Sequence, residues 1–259
     1  GDMVRTASGQ DVELMEPRSH CDREDRTFAF AQRVRQLGEN PQHIFRVGNP
    51  SLDYIQRVPL LDRHELQQRL NFQLRPRNIL VTFHPETLSS QQAPEQFQSL
   101  LTALTRTGKD VGIIFTKPNA DDGGRSLGQM IDAYVRTHPN ACAHTNLGQR
   151  LYLSAIAHVD ALAGNSSSGI YEAPSFCKPT VNIGDRQKGR LQPASVLNCP
   201  CEPEAIYQTL MQAFQMDCSQ VANPYGDGQA TGRIIKVIKS FNDYRQFLKK
   251  EFFEINAHA

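Results

Sequence analysis

Residues 159–172, with the sequence VDALAGNSSSGIYE, form the stretch around which the rest of the chain is organised. The apolar run at 159–163 is short and ends in Gly-Asn, which is typical of a buried strand closed by a tight turn. Residues 168–176 then have a composition that can begin a helix. This stretch therefore predicts a strand, a turn and a helix in direct succession.

The predicted turn has the composition of an anion site. Gly164 and Gly169 allow the backbone to come close to a ligand, and three serine hydroxyls lie between them. The first turn of the following helix would add free N–H groups and the positive end of the helix dipole. One interpretation is a phosphate site, and the other is that the serines only cap the helix, as serine commonly does.

The composition is typical of a soluble globular protein. The 259 residues are 39% hydrophobic and 21% charged, and 28 Lys and Arg against 27 Asp and Glu give a formal net charge of +1. Because there is no strong excess of basic residues, we expect neither nucleic acid nor a membrane as partner, and any anion must be held locally.

The cysteines bear on the compartment and on metal binding. The sequence has no Cys-x-x-Cys pair and no metal-ligand spacing, and it shows no signal peptide and no long apolar span. We therefore expect reduced thiols, no bound metal, no cofactor and a cytoplasmic location. The cysteines are Cys21, Cys142, Cys177, Cys199, Cys201 and Cys218.

Apolar strands and helices alternate along the middle of the chain. The predicted strands are 78–83, 111–115, 159–163, 180–183 and 195–197, and the predicted helices are 94–107, 124–137, 148–158, 168–176 and 203–214. Continuous apolar strands separated by helices indicate a parallel sheet that is covered on both faces. The predicted fold class is therefore α/β, with a doubly wound, Rossmann-like parallel sheet.

The chain is predicted to divide into three parts. Residues 1–27 are polar and irregular and form a tail or the remnant of a missing N-terminal domain. Residues 28–229 hold the α/β domain, and residues 230–259 hold a long helix, reaching to about residue 253, and a second tail.

Three smaller elements are predicted before the sheet. Residues 28–38 suit a helix that is stopped by glycine, and residues 43–48 suit a strand. Asp62 predicts a helix N-cap, and Glu65 three residues later completes a capping box. That helix is predicted to end near Leu70.

Polar side chains follow four of the predicted strands. Ligands of open parallel sheets bind beyond the carboxyl ends of the strands, so the residues at these exits are candidates for a binding site. The exits are HPET at 84–87, TKPNAD at 116–121, the turn after Gly164, and NIGDRQKGR at 182–190.

His84 and Asn119 are the candidates at the first two exits. His84 follows a buried strand and precedes a proline, so its ring could donate to a phosphate or move a proton near neutral pH. The alternative is a structural histidine at a strand end. Asn119 could bind a hydroxyl or a phosphate oxygen, although asparagine and aspartate after a proline are also common turn residues.

Cations and a carboxylate are the candidates at the other two exits. Arg186, Lys188 and Arg190 lie beside the predicted phosphate turn, and arginine can bind phosphate with two hydrogen bonds. The alternative is a solvated basic loop. Glu172 could accept hydrogen bonds from both hydroxyls of a ribose, and its alternative is an exposed helix residue.

The same segments are similar to those of a known family. They are GNSSSGIYEAPSF from Gly164, KPTVNIGDRQKGR from Lys178, FTKPNADDGGR from Phe115, the His-Pro-x-Thr element at His84, RQLGENPQHIFRVGNPSLDYI from Arg35, and NPYGDG from Asn223. Together they closely resemble the hydrolysing UDP-N-acetylglucosamine 2-epimerases of the sialic acid pathway type. The resemblance runs from about Phe28 to Ser240 and its motifs are long and specific.

The resemblance implies a fold like that of the C-terminal domain of the GT-B glycosyltransferases, with residues 28–229 binding a UDP-sugar. His84 is the catalytic candidate in this chain. The implied substrate contacts are Ser166 and Ser167 to the diphosphate, Glu172 to the ribose hydroxyls, His84, Asn119 and Arg186 to the phosphate and sugar side, and Arg190 as a further binding residue.

The resemblance also implies the reaction. In this family UDP is eliminated across C1 and C2 of the sugar to give a 2-acetamidoglucal, and addition of water then yields N-acetylmannosamine for sialic or related nonulosonic acid synthesis. Such an enzyme must remove a weakly acidic C2 proton while it stabilises the departing diphosphate, so it needs both a base and a cationic clamp. The expected substrate is UDP-N-acetylglucosamine or the related UDP-diacetamido-trideoxy sugar.

One departure from the family concerns the acid and base residues. Members normally begin with a further domain whose Arg-rich loop, Gly-Asp-Arg element and His-x-His-Gly-Gly-Glu element supply these carboxylates, and residues 1–27 contain none of them. We therefore expect this chain to be the C-terminal, UDP-binding half and to be inactive alone. It is then a truncated piece, a divergent short homologue or the partner of a separate N-terminal half, and a second copy is the other expected partner. The alternatives are a non-catalytic UDP-binding module and a GT-B glycosyltransferase.

Overall fold

The structure is a computed structural model that describes residues 3–5, 11–13, 24–85, 93–118, 122–247 and 251–254. The chain divides into two compact units, one of residues 58–222 and one of residues 1–57 together with 223–259. The division at residues 27 and 229 that the sequence suggests stays a prediction.

The described strands and helices follow in chain order. The strands are β1 (Met3–Arg5), β2 (Asp11–Glu13), β3 (Arg77–Thr82), β4 (Val111–Thr116), β5 (Ala141–His144), β6 (Ala161–Gly164), β7 (Thr180–Ile183) and β8 (Val196–Cys199). The α-helices are α1 (Glu24–Gln36), α2 (Asp53–Arg57), α3 (Arg63–Leu70), α4 (Ala93–Arg106), α5 (Asp122–Thr137), α6 (Gly148–His158), α7 (Ser168–Tyr171), α8 (Pro203–Ala213) and α9 (Ala230–Ser240). Short 3-10 helices lie at Pro41–His43, Pro50–Leu52, Ala173–Phe176 and Tyr244–Phe247.

A six-stranded sheet forms the centre of the described part of residues 58–222. Its strands are all parallel and lie in the order β5-β4-β3-β6-β7-β8, so the strand order reverses between β3 and β6. The interiors of β3 and β4 are buried, which requires cover on both faces of the sheet. The predicted doubly wound α/β class is confirmed.

The two faces of the sheet have separate apolar layers. On one face the side chains of α4, α5 and α8 pack together, and the ring of Phe97 lies 5.7 Å from that of Phe83 and 6.4 Å from that of Phe115. On the other face α6 packs against α3 and β3. Full burial of each of these aromatic side chains stabilises the fold by about 1.5–3 kcal/mol.

The predicted capping box at the start of α3 is confirmed. The Asp62 carboxylate accepts the Glu65 N–H at 2.8 Å, and the Glu65 carboxylate accepts the Asp62 N–H at 3.1 Å. The helix ends at Leu70, as predicted, because Asn71 adopts a left-handed conformation.

Strand β5 has no counterpart among the predicted elements. Its sequence, Ala-Cys-Ala-His, is only four residues long and lacks the long apolar run of an inner strand. It is an edge strand whose position is fixed by main-chain pairing with β4. Such pairing leaves little trace in the local sequence.

The helix predicted at 168–176 is in fact two short pieces. Residues 168–171 form one α-helical turn, and residues 173–176 form a 3-10 helix. Pro174 has no N–H to continue the α-helical pattern, so the α-helix stops before it. No long helix follows the turn after Gly164, so a helix dipole contributes little to anion binding there.

In residues 1–57 the structure differs from the sequence-based predictions at two places. In the described part of 1–27, β1 and β2 pair antiparallel and α1 begins, so these residues are not irregular, and the choice between a tail and a domain remnant stays a prediction. The strand predicted at 43–48 is also wrong, because His43 ends a 3-10 helix that is capped by Asn40, and of residues 44–48 only Phe45 makes a strand-like bridge.

The C-terminal helix is shorter than predicted. It ends at Ser240, since Phe241 is extended and the Asp243 carboxylate accepts the Arg245 N–H at 2.9 Å to begin a new 3-10 helix. The start of the helix is held by Asp53, which is buried and accepts the N–H of Ala230 at 2.9 Å and that of Thr231 at 2.6 Å.

Candidate functional site

The strand exits that the sequence singled out lie side by side in the sheet. Thr82 at the end of β3 pairs with Thr116 of β4 and with Gly164 of β6, and Gly164 pairs in turn with Asn182 of β7. The four exits therefore meet at one edge of the sheet, which we call the carboxyl edge. The strand order also reverses there, and open α/β sheets bind ligands at that position.

Gly164 makes the close approach between two of these exits. It has φ +132°, and a Cβ at this position would collide with the carbonyl oxygen of Thr82. No other amino acid fits, because both the backbone conformation and the space require glycine. The chain can therefore leave β6 directly beside the end of β3.

Asn165 ties the exit of β3 to the turn. Its side-chain oxygen accepts the His84 N–H at 2.7 Å, and its side-chain amide donates to the His84 carbonyl oxygen at 2.8 Å. Asn165 is completely buried. The main chain at His84 is thus held by two hydrogen bonds, and Pro85 beside it packs against Gly123 at the start of α5.

Arg186 and Gln187 reach the same turn from the exit of β7. The Arg186 guanidinium donates to the Asn165 carbonyl oxygen at 3.0 Å, and the Gln187 side-chain amide donates to that oxygen at 2.7 Å. Gln187 is buried, whereas Arg186 is exposed. This arrangement places a cation beside the serine turn.

The other two predicted cations are placed differently. The Arg190 guanidinium lies over the Tyr171 ring, 5.6 Å from its centre, so it remains near the turn. The Lys188 ammonium is exposed and forms an ion pair with Asp185 at 3.2 Å. Lys188 therefore belongs to a solvated basic loop, which was the alternative interpretation of these cations.

The serines cap α7 only weakly. Ser167 is the N-cap residue but its hydroxyl makes no capping hydrogen bond, and the Ser166 hydroxyl accepts the Ser168 N–H at 3.3 Å. In the described part of the chain, no protein acceptor faces the N–H groups of Ser166 and Ser167. Two backbone N–H donors and the O–H donors of both hydroxyls therefore remain for a ligand.

Glu172 is partly buried, so the alternative of an exposed helix residue was wrong. Burial raises the pKa of its carboxyl, while the nearby Ser168 hydroxyl lowers it. Among the described residues, neither the Glu172 Oε2 atom nor the Ser168 hydroxyl has a partner in full hydrogen-bond geometry. A carboxylate kept from water without a partner is costly, and ligand hydroxyls would relieve that cost.

Tyr152 of α6 lies close enough to Glu172 for the two side chains to interact electrostatically. Burial raises the pKa of its phenol, and the hydroxyls of Ser168 and Thr82 act on it in the opposite direction. The Thr82 and Thr116 hydroxyls are 2.6 Å apart. Hydroxyl groups thus line the carboxyl edge from β4 to α7.

The sequence brought out most of these residues but missed others. The structure brings together His84, Ser166, Ser167, Glu172, Arg186 and Arg190 at the carboxyl edge, and Asn119 lies outside the described residues. Asn165 and Gln187 were not singled out, although both lie inside the quoted motifs. Tyr152 had no signal at all, because an aromatic residue in an amphipathic helix is usually part of the core.

A further groove among the described residues lies elsewhere. It has a volume of about 490 Å³ and is lined by the C-terminal halves of α4 and α5, including Leu101, Met130 and Tyr134. Helices that follow parallel strands run back toward the edge where the next strand begins, so this groove lies away from the carboxyl edge. Its hydroxyl groups are engaged locally, as in the bonds from Thr105 to Leu101 and from Thr137 to Tyr134.

Three further properties follow from the described residues. No described helix is both long and apolar enough to cross a membrane. No group of three or more His, Cys, Asp and Glu side chains in the described ranges could hold a metal ion. The described cysteines are free thiols, and burial raises the pKa of Cys142 to about 12 and that of Cys199 to about 11.

Comparison with known proteins gives the family. The sequence profile of the family described as UDP-N-acetylglucosamine 2-epimerase matches residues 26–239. The chain belongs to the UDP-N-acetylglucosamine 2-epimerase family. The matched range includes every strand exit of the carboxyl edge.

Curated members of the family are longer than this chain. A Legionella pneumophila protein named UDP-N,N'-diacetylbacillosamine 2-epimerase (hydrolyzing) is 33% identical over 224 residues, which are 86% of this chain and 59% of that protein. An Escherichia coli protein named polysialic acid biosynthesis protein P7 is 32% identical over 233 residues, which are 88% of this chain and 59% of that protein. The chain thus spans about three fifths of their length.

Solved structures of epimerases share the fold. A Neisseria meningitidis UDP-GlcNAc 2-epimerase bound to UDP-GlcNAc superposes with a TM-score of 0.63 at 15% identity, over 82% of this chain and 58% of that one. The co-structure of S. aureus MnaA with UDP gives a TM-score of 0.62 at 18% identity, over 87% of this chain and 60% of that one. The family expected from the sequence and the GT-B-like, Rossmann-like fold are confirmed.

Proposed function

We propose that this chain supplies the UDP-binding part of a hydrolysing UDP-sugar 2-epimerase. The observation that carries the proposal is the carboxyl edge itself. Free N–H groups and hydroxyls at Ser166 and Ser167 lie beside Arg186, and a partly buried carboxylate oxygen of Glu172 has no described partner in full hydrogen-bond geometry. A diphosphate fits the first group, because arginine and backbone amides bind phosphate oxygens. A ribose fits the second, because its hydroxyls can donate to a carboxylate.

Each predicted residue has a role in this proposal. Ser166 and Ser167 bind the diphosphate, and Arg186 neutralises the charge that grows on UDP as the bond from C1 to oxygen breaks. Arg190 adds a second cation near the turn, and Glu172 holds the ribose. The reaction removes the C2 proton, expels UDP and forms a 2-acetamidoglucal, and water then adds across the double bond to give the 2-epimerised sugar.

We place His84 and Asn119 on the phosphate and sugar side of the nucleotide. His84 can donate a hydrogen bond or move a proton near neutral pH, and its main chain is fixed by Asn165. The carboxylates that act as acid and base are expected from a part of the enzyme outside residues 1–259, in line with the share of the relatives that this chain spans. Cytoplasmic location and product use in nonulosonic acid synthesis remain predictions.

The substrate is UDP-N-acetylglucosamine or a UDP-diacetamido-trideoxy sugar. The relatives' names favour both classes, since the Legionella protein is named for diacetylbacillosamine and the Escherichia coli protein for polysialic acid. Proton NMR of each UDP-sugar incubated with this chain, with and without an added N-terminal half, tests the proposal. We expect release of UDP and of the 2-epimerised sugar only when both halves are present.

Two other outcomes would change the function. Saturable UDP binding without turnover of either sugar, even with the added half, would make the chain a non-catalytic binding module. Failure to bind UDP at all would reject the nucleotide site.

A further inference from the structure

Asn165 connects three strand exits through one buried residue. Its side chain binds both main-chain polar groups of His84, at 2.7 and 2.8 Å, and its carbonyl oxygen accepts from Arg186 and Gln187, at 3.0 and 2.7 Å. It directly precedes Ser166 in the turn. The positions of His84, Arg186 and the serine turn therefore all depend on Asn165, through hydrogen bonds or through the chain itself.

Removal of the Asn165 side chain would affect a specific part of this arrangement. The His84 N–H and carbonyl groups would each lose the partner that Asn165 provides, and a hydrogen bond inside a protein contributes about 0.5–1.5 kcal/mol. The main chain at His84 would then no longer be fixed relative to the serine turn. Arg186 and Gln187 bind the main chain of residue 165, so they keep their acceptor in any variant at this position.

We propose that Asn165 is a positioning residue of the nucleotide site, which holds the main chain at His84 in register with Arg186 and the serine turn. Asn165 does not itself need to touch the ligand. The inference rests on the proposed function, because it assigns a UDP-sugar to the site that these groups surround.

The sheet contains a matched control for this residue. Asn78, near the start of β3, accepts the Arg75 N–H at 2.9 Å and donates to the Arg75 carbonyl oxygen at 2.8 Å, so it binds one residue's main chain in the same two-bond manner. It is 1% exposed, compared with 0% for Asn165. The two asparagines differ mainly in the end of the sheet at which they lie.

Aspartate substitution tests the proposal reversibly. A protonated aspartic acid has one O–H donor and one acceptor and can replace both bonds of asparagine, whereas the carboxylate cannot donate to the His84 carbonyl oxygen. Desolvation raises the pKa of a buried carboxyl, so the acid form is favoured at mildly acidic pH. The UDP dissociation constant of Asn165→Asp, divided by that of the wild type at the same pH, is the quantity to measure by calorimetry.

We expect this ratio to be about ten or more near pH 8 and to fall toward about two near pH 5. The Asn78→Asp variant should lose stability near pH 8 by a similar amount, while its UDP ratio stays within about two-fold at both pH values. A ratio for Asn165→Asp that is near one at pH 8, or one that Asn78→Asp reproduces, would overturn the proposal.

A second measurement does not depend on UDP binding. The imidazole signals of His84, assigned with His84→Gln, should shift in Asn165→Ala and stay unchanged in Asn78→Ala when NMR spectra of the ligand-free proteins are compared. If the wild type fails to bind UDP, the proposed function fails, and these signals alone decide whether Asn165 positions His84. Unchanged His84 signals in folded Asn165→Ala would reject the role.

Discussion

The two ends of the central sheet use the same buried polar chemistry for different purposes. At the end where the strands begin, which we call the amino edge, Asn78 binds the main chain of Arg75 and Asp160 accepts the Asn78 N–H at 2.7 Å. There Asn140 also donates to the Val111 carbonyl oxygen at 2.7 Å. At the carboxyl edge Asn165 makes a similar pair of bonds, but cations, free N–H groups and a carboxylate surround it.

A buried asparagine therefore does not by itself mark a functional site. Both edges need such residues, because strand ends leave main-chain groups that must be paired. The carboxyl edge differs in that its polar atoms favour a further partner. Among the described residues, Glu172 Oε2 has no partner in full hydrogen-bond geometry, and Arg186 is exposed. Those two features, rather than the asparagine, favour a ligand.

The largest effect is expected from Gly164→Ala, with Gly108→Ala as its counterpart at the amino edge. Both glycines have positive φ, but a Cβ at Gly164 would collide with the Thr82 carbonyl, whereas a Cβ at Gly108 meets nothing within 4 Å. We expect Gly164→Ala to lower the free energy of unfolding by more than about 3 kcal/mol, and Gly108→Ala by about 1–2 kcal/mol. Urea denaturation measures both, and equal losses would show that the close approach at Gly164 is unimportant.

The next largest effect is expected from Arg186→Ala on UDP binding. The variant loses a cation that is fixed beside the serine turn, and hydrogen bonds to charged groups contribute about 1.5–3 kcal/mol, so affinity should fall by about 10–100-fold. Lys188→Ala removes a cation from the same loop that is already paired with Asp185, and it should change affinity by less than about two-fold. Similar losses in the two variants would mean that general positive charge, and not the geometry of Arg186, binds the anion.

Glu172→Gln should separate stability from binding. Burial raises the pKa of this carboxyl, so the stability that it contributes is complete below the unfolded pKa and is lost as pH rises through the folded pKa. The glutamine variant should therefore gain stability relative to the wild type as pH rises above the ordinary carboxyl range, while its UDP affinity falls by about ten-fold.

Glu204→Gln should change stability with pH in the opposite direction to Glu172→Gln. A hydrogen bond from Arg106 lowers the pKa of this exposed carboxyl, so its contribution is present above the unfolded pKa and is lost as pH falls through the folded pKa. The variant should be less stable than the wild type at neutral pH only, with UDP affinity unchanged. Urea denaturation across the acid and neutral range checks both variants, and the same sign in both would contradict the assigned burial of Glu172.

The smallest effect on function is expected from Asn140→Ala. The variant loses the bond to the Val111 carbonyl at the amino edge, which should cost about 1–2 kcal/mol of stability and leave the UDP dissociation constant within about two-fold. Calorimetry after a check of folding by circular dichroism measures this. A large loss of affinity would show that the two edges are coupled.

The sequence predicted the parts of the molecule that depend on local patterns. Apolar runs of full length, such as the one that became β4, give strong signals, and so did the capping box of Asp62 and Glu65. The edge strand β5 was missed because main-chain pairing with β4 fixes it.

The sequence predicted which strand exits carry the candidate residues, but not the hydrogen bonds that connect these residues. His84, Glu172 and Arg186 could be found because parallel strands bring their ends together. The role of Asn165 depends on contacts between residues 81 and 21 positions apart in the chain, and no local pattern records them. Pro174 is the opposite example, because a local feature was overlooked. Its missing N–H ends the α-helix early, although the sequence pattern favoured one helix over 168–176.

Backbone amide NMR of the chain during UDP titration tests most directly whether the carboxyl edge is the nucleotide site. We expect the largest shifts at Ser166, Ser167 and the neighbouring Arg186, with Asn78 and Asn140 unchanged. Shifts concentrated in the groove of α4 and α5, or no shifts at saturating UDP, would contradict it.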